Sequence, residues 1–244
     1  MKLLLTPMPR LENAGMEAWL VRLFDTLDER NMPWISSLVE DVQHQFGPYL
    51  VDIVPSYTTV LVQFDALLLD HGKARQLLEH IVSELTLPLA KELKSRAVIE
   101  LPIWYHLSVG PELARLSAHT GLSVPALIDL HSAPTYCVFA LGFAPGFAFM
   151  GSLPEPLALA RLTQPRAQVP QGSLAIAGRQ TAIYPTATPG GWNILGRCPT
   201  PLFNLASASL SLLQAGDRVR FVPIDQAQFV RLGGDTTPLA KAPL

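Results

Sequence analysis

The chain predicts a small α+β domain followed by a mainly β domain closed as a barrel or sandwich. Three observations carry this. Residues 1–95 mix helix-period and strand-period segments; a short basic connector, Lys91–Arg96, follows; and from Tyr136 onward short apolar or alternating runs are separated by Gly and Pro. The expected domains are therefore 1–95 and 96–244.

In the first domain AWLVRLF (Ala18–Phe24) reads as a strand. Pro33–Phe46 places Trp34, Ile35, Leu38, Val42 and Phe46 on one helical stripe, ended by Gly47-Pro48. Leu50–Val54 and Thr58–Phe64 are β-rich and flank an expected turn at Pro55-Ser56. His71–Leu85 repeats the helical stripe with Ala74, Leu77, Leu78, Ile81 and Leu85. The pattern predicts two helices on one face of an antiparallel sheet.

Val98–Tyr105 opens the second domain as a strand. Gly110-Pro111 then starts a helix that Gly121 ends, and Ser123 caps another that runs to about His131. This pair has helix-turn-helix spacing, yet its second helix offers Pro125 and Asp129 and no Lys or Arg. A recognition helix needs donors to phosphates and base edges, so a packed hairpin is the reading. YCVFALGF, SLAIAG, TAIYP and DRVRFVPI follow as strands, and Val219 and Phe221 alternate cleanly with Arg218 and Arg220. The tail GGDTTPLAKAPL is expected to fray.

Composition excludes several functions. A net charge of −2 argues against a nucleic-acid protein. No apolar run approaches the roughly 18 residues of a membrane helix, and Pro7 and Pro9 cut short the leucines of the N-terminus. Cys137 and Cys198 cannot form a disulfide framework and read as free buried thiols of a cytoplasmic protein. No Cys/His cluster has metal-ligand spacing, and the Walker, dinucleotide-binding and nucleophile-elbow patterns are absent.

Gly142–Pro199 carries the chemistry. It combines Gly, Pro and aromatics with Arg161, Arg166, Arg179 and Arg197, no lysine, and the single acid Glu155. Gly and Pro fix turns, aromatics give flat walls, and arginine forks carboxylate or phosphate. Arg166 and Arg197 read either as anion forks beside the wall of Trp192 or as arginines packed on it. His131 reads either as a donor or proton carrier or as a cap on its helix. Gln180 offers the donor and acceptor that an amide ring requires. Alternation sets Gln180 and Tyr184 on one face of their strand and Thr181 on the other.

The segments GFAPGFAFMG, VPQGSLAIAG, TAIYP and PGGWNILGR resemble the family of the 5-oxoprolinase B subunit. It is also known as allophanate hydrolase subunit 1 or the carboxyltransferase-domain C/D family, and it includes Kip-type kinase inhibitors. VDIVPSYTTVLVQFD, IELPIWY, GPELARLSAHTGL and LLQAGDRVRFVPI extend the resemblance over nearly the whole chain. It implies a ferredoxin-like first domain and a cyclophilin-like barrel. It also implies a protein that acts only in complex with an obligate 5-oxoprolinase C subunit and with the A subunit, cleaving 5-oxo-L-proline to L-glutamate with ATP, with or without magnesium. Within the family, histidine-kinase inhibition and allophanate or urea metabolism are the alternatives. Carried over by motif, Arg166, Arg197 and His131 are the catalytic candidates. Phe143, Pro145, Gly146, Phe147, Pro165, Gln180, Thr181, Tyr184, Gly191 and Trp192 are the binding candidates. The chain departs from the family pattern at Phe149, Ala160-Arg161, Arg179 and Cys198.

Overall fold

Strand-forming alternation and two amphipathic helices organise the first half of the chain. The computed structural model describes residues 7–86, 97–207 and 209–240, and the chain divides into units Met1–Arg96 and Ala97–Leu244. The expected connector Lys91–Arg96 lies outside the described residues. In the first unit β1 (Arg10–Asn13) and β2 (Ala18–Arg22) lead to α1 (Met32–Phe46). The strands β3 (Leu50–Ser56) and β4 (Thr59–Phe64) then lead to α2 (His71–Glu84). The sheet order is β1-β2-β4-β3, antiparallel throughout. Val60, Val62 and Phe64 alternate inward on β4, and Ile35, Leu38, Val42 and Phe46 of α1 are buried as the helical stripe predicts. Asp70 starts α2 by accepting from the backbone N–H groups of Gly72 and Lys73.

Two details differ from expectation. The hairpin turns at Tyr57-Thr58 rather than Pro55-Ser56, because β3 continues through Pro55, which pairs with Val60 on one side only. Among the described residues the order ββαββα also departs from the βαββαβ of a ferredoxin-like fold: the edge strand beside β2 comes from ahead of it.

The second unit is a nearly closed barrel. Its strands are β5 (Ile99–Ile103), β6 (Tyr136–Leu141), β7 (Ala148–Gly151), β8 (Arg166–Val169) and β9 (Ser173–Ala177). They continue with β10 (Gln180–Ile183), β11 (Thr188–Gly190), β12 (Asn193–Arg197) and β13 (Arg218–Pro223). Seven form one mixed sheet, β12-β9-β10-β7-β6-β13-β5, with β8 and β11 as a separate ribbon. Trp104, just past β5, and Arg197 at the end of β12 exchange both backbone hydrogen bonds, at 2.9 and 3.0 Å, which brings the two edges together. Gly196 makes this approach possible: a Cβ there would lie 2.7 Å from the Trp104 carbonyl oxygen.

The helical hairpin α3 (Glu112–Thr120) and α4 (Val124–Ser132) turns on Gly121 at φ +73° and starts again at the Ser123 cap. Leu113, Leu116 and Leu127 join the interior cluster with Val138, Met150, Ile176, Ile183 and Phe221. The hairpin is thus packed against the barrel, as its sequence predicts. A fifth helix, α5 (Gln226–Arg231), follows β13 unannounced by the sequence pattern. The tail does not fray through Ala240. The Leu239 N–H donates to the Ser108 carbonyl at 2.7 Å, and Asp235, Thr237 and Ala240 each accept from an arginine.

Candidate functional site

The alternation of β10 decides where the site lies. Ile183 belongs to the interior cluster, whereas Ala182 and Tyr184 belong to a second cluster on the opposite face with Phe147, Ala175, Trp192 and Ile194. Phe147, buried, is the centre of that second cluster. The rings of Phe143, Phe149, Tyr184 and Trp192 meet it at centroid distances of 5.3, 4.8, 5.3 and 5.7 Å, all near edge-on. This is the geometry that ring quadrupoles favour. Together with Pro165 and Gly191 these rings line a cup of about 250 Å³. The exposed Arg161 guanidinium stands over the Trp192 ring, 5.8 Å from its centroid.

The turn that delivers Phe147 is held by its own backbone: Ala144 N–H donates to Gly142 O and Phe147 N–H to Ala144 O, each at 2.9 Å. Gly146 takes φ +80° and packs so closely that a Cβ would lie 2.9 Å from Phe203 Cβ. Phe143 also has a left-handed backbone, φ +71°, while its ring is 66% exposed. A bulky residue in that region is strained, and such strain concentrates at ligand-contacting positions. Burial pushes the Tyr184 phenol pKa up, opposed by a backbone hydrogen bond from Trp192 and by the charges of Arg161 and Arg166.

The structure therefore gathers Phe143, Phe147, Pro165, Tyr184, Gly191 and Trp192 in one place. Pro145 and Gly146 belong to the same turn without lining the cup. Gln180 opens β10 opposite Gly151 and Ala177.

His131 is elsewhere. Its ring is buried and stacked on Phe221, centroids 5.1 Å apart. Thr181 Oγ1 donates to the Ala175 carbonyl at 3.1 Å, so it accepts from His131 Nε2–H at 3.1 Å. Nδ1 then accepts from the Tyr105 hydroxyl at 2.8 Å. The bonds thus assign the tautomer. Burial lowers its pKa to about 3, so the ring is neutral. Rather than capping its helix, the ring pins α4 to β10 from within the barrel, and Thr181 faces it rather than the cup.

Arg166 and Arg197 are also drawn away from Trp192, whose cationic neighbour is Arg161. Arg166 forms a buried ion pair with Glu112 at 2.6 Å and donates to the Ala240 carbonyl at 3.3 Å. Glu112 in turn accepts from the Ile194 N–H at 2.9 Å, so the pair staples α3 to β8 and β12. Arg197 Nη1 donates to the carbonyls of Asp235 and Thr237 at 2.6 and 3.1 Å. Arg179, exposed, donates to the Leu153 carbonyl at 3.2 Å. Both cysteines are free and buried, and burial pushes the Cys198 thiol up to about 11, which leaves it unreactive.

Arg161 and Phe149 are cup residues that sequence reasoning missed. A signal for them was present: both are positions where the chain departs from the pattern of the family it resembles, within the segment richest in Arg and aromatics. Among the described residues no group of three or more His, Cys, Asp or Glu side chains is placed to hold a metal ion, and no helix is long and apolar enough to cross a membrane.

The sequence profile of a family described as carboxyltransferase domain, subdomain C and D, matches residues 9–213. A Bacillus subtilis protein named as the B subunit of 5-oxoprolinase is 31% identical over 227 residues, covering 90% of this chain and 95% of that protein. The protein of the same name from Escherichia coli O157:H7 is 50% identical over 125 residues, 51% of this chain and 57% of that protein. The crystal structure of TTHA0988 superposes with a TM-score of 0.74 at 33% identity. It covers 89% of this chain and 40% of that one, so this chain spans less than half the length of that solved chain.

Proposed function

Since the chain belongs to the carboxyltransferase-domain family, subdomain C and D, we propose that it is the B subunit of a 5-oxoprolinase. Such an assembly opens the lactam of 5-oxo-L-proline to L-glutamate with ATP hydrolysis, and in it the chain joins an A and a C subunit in the cytoplasm. The near full-length similarity to the B. subtilis protein of that name supports the reading.

The observation that carries it here is the aromatic cup with Arg161 at its rim. A five-membered lactam bearing one carboxylate asks for flat apolar walls and one cationic fork, and the cup offers both. Among the described residues Arg161 has no carboxylate partner. Its planar N–H fork is therefore free to take the substrate carboxylate while Phe147, Tyr184 and Trp192 enclose the ring. Lactam amides are resonance-stabilised and resist water. Holding the ring in a fixed apolar cup orients its carbonyl for attack, which is this chain's contribution to the reaction.

The two arginines expected from the sequence as anion forks are engaged within the chain. Arg166 is neutralised by Glu112, and Arg197 is turned toward the chain's own tail. In this reading ATP, with or without magnesium, binds the other members of the assembly.

The test is reconstitution with the A and C subunits. Addition of 5-oxoproline should release ADP, and Arg161→Ala should raise KM for 5-oxoproline far more than it lowers kcat. A complete, folded complex that releases no ADP in response to 5-oxoproline overturns the proposal.

A further inference from the structure

A second cavity of the barrel unit, about 300 Å³, shares Tyr184 with the cup, and its charged lining is Arg197 and Asp235. The two buried arginines of this unit differ in their counter-charge, although each keeps buried donors without an acceptor among the described residues: Nη1 of Arg166, and Nε and Nη2 of Arg197. Arg166 and Glu112 neutralise each other at 2.6 Å with side chains only 7% and 5% exposed. Arg197 is 2% exposed, yet the carboxylate near it is Asp235 Oδ2 at 3.5 Å, on a side chain 68% exposed. The side-chain hydrogen bonds of Arg197 all run from Nη1, and its Nε and Nη2 are buried with no acceptor among the described residues. A buried guanidinium left without a close counter-charge and with donors unmatched is costly. Burial accordingly lowers its pKa.

The segment that supplies Asp235 has the form of a removable strap. It leaves α5 through Gly233, at φ +82°, and Gly234, where a Cβ would lie 2.4 Å from the Phe229 ring. Asp235 Oδ1 is satisfied within the strap by Thr237, from its N–H at 2.9 Å and its hydroxyl at 2.6 Å, which leaves Oδ2 turned to Arg197. Nε and Nη2 have no exposed surface, and the strap carbonyls of Asp235 and Thr237 occupy Nη1, so an anion entering the cleft competes with the strap for the guanidinium.

We infer that the Arg197 cleft is an oxyanion site for a carboxylate or phosphate, and that Asp235 of the strap is its displaceable internal occupant. The inference goes beyond the lactam reading. It concerns a different cavity, and its test does not depend on ADP release.

The probe is the side-chain Nε–H resonance of Arg197 in the ¹⁵N-labelled full chain, assigned by its disappearance in Arg197→Lys. At constant ionic strength, sodium phosphate or sodium acetate should move it saturably. Asp235→Asn, a change at an exposed side chain, should tighten that response roughly two- to fivefold, the strength of a partly exposed ion pair. Response to phosphate alone assigns a phosphate ligand, and response to acetate alone assigns a carboxylate. A resonance that neither anion moves, or that drifts equally and without saturation in both (an adventitious ion only), overturns the site. An affinity unchanged by Asp235→Asn overturns the role of the strap. If Arg197→Lys fails to fold, both comparisons are read instead from the saturable rise in thermal unfolding temperature that each anion gives the parent chain and Asp235→Asn at constant ionic strength.

Discussion

The two faces of β10 sit a peptide apart and do opposite things. On the inner face Thr181 and His131 form a hydroxyl–imidazole–hydroxyl chain that runs from the Ala175 carbonyl to Tyr105, each link within 3.1 Å. On the outer face Tyr184 helps enclose a cup that opens to solvent and carries a cation at its edge. Polar groups that complete one another hold an element in place and have nothing left for a ligand. Rings that pack on one side and leave the cup side unfilled, with a cation that has no carboxylate partner beside them, are available for recognition. The same contrast separates the charge-matched Arg166–Glu112 pair, which leaves only Arg166 Nη1 unmatched, from Arg161. A histidine or arginine therefore reads as functional here only where its partners are missing from the chain.

The largest expected effect tests the closed class. Arg166→Ala strands the Glu112 carboxylate in the interior and should destabilise the unit by about 3–5 kcal/mol in denaturant titration. Glu112→Gln should also be costly, because an amide oxygen that accepts from Ile194 turns its NH2 group toward Arg166 and leaves the buried guanidinium without a counter-charge. If Arg166→Ala instead leaves stability intact and abolishes substrate-dependent ADP release, the arginine belongs with the open class.

His131→Phe comes next. It keeps a ring against Phe221 but leaves the Thr181 and Tyr105 hydroxyls short of a partner, an expected loss of about 1–3 kcal/mol. Its signature is in the pH dependence. The folded pKa, about 3, lies below the unfolded value of 6.5. The unfolded chain therefore takes up the proton first. The imidazole's contribution is intact above pH 6.5 and drains away as pH falls from there toward 3, at up to about 1.4 kcal/mol per pH unit. His131→Phe should remove that slope from the stability profile measured over this window. A pH–rate profile of the assembled enzyme that changes shape in the variant would instead make His131 a proton carrier.

Arg161→Ala tests the open class. The side chain is exposed, so stability should stay within about 0.5 kcal/mol. Loss of the carboxylate fork should weaken 5-oxoproline binding roughly tenfold, about 1.4 kcal/mol. Calorimetric titration of the assembled complex reads both the affinity and the unchanged stoichiometry.

Much of this division was readable in the sequence, and its limits have physical causes. The stripes of α1 and α2, the αL turn at Gly121, the Ser123 cap and the alternation of β13 all announce themselves because each has one buried and one wet face, or one chemically obligatory residue. β10 and β12 are buried on both faces, so alternation could not say which side of Tyr184 was core. β8 and β11 are a few residues of Arg, Ala, Gln, Val, Thr, Pro and Gly, whose strand character comes from their partner and not from their own propensity. The aromatics of the cup were visible as a composition bias. The fate of the arginines was not. Glu112 lies 54 residues before Arg166, and Asp235 lies 38 after Arg197. Such partners are brought together only by the closed barrel, and the strap that contains Asp235 has no periodicity to betray it.

The smallest effect is the sharpest test of the contrast, because it predicts a gain on one axis and a loss on the other. Phe143 holds a left-handed backbone with its ring mostly in water. Phe143→Gly should release about 1 kcal/mol of backbone strain. It forfeits an edge-to-face contact with Phe147 worth about 0.5–1 kcal/mol, and it loosens the unfolded chain by a further fraction. Net stability should move by less than about 1 kcal/mol in either direction. The lip of the cup is nevertheless gone, so binding of 5-oxoproline should weaken while thermal unfolding barely shifts. Phe143→Ala separates the two effects: it loses the ring and keeps most of the strain, so it should be less stable than Phe143→Gly yet bind equally poorly. Were both variants to bind as well as the parent chain, the strained phenylalanine would owe its place to packing on Phe147, and the open face of β10 would have to be redrawn without it.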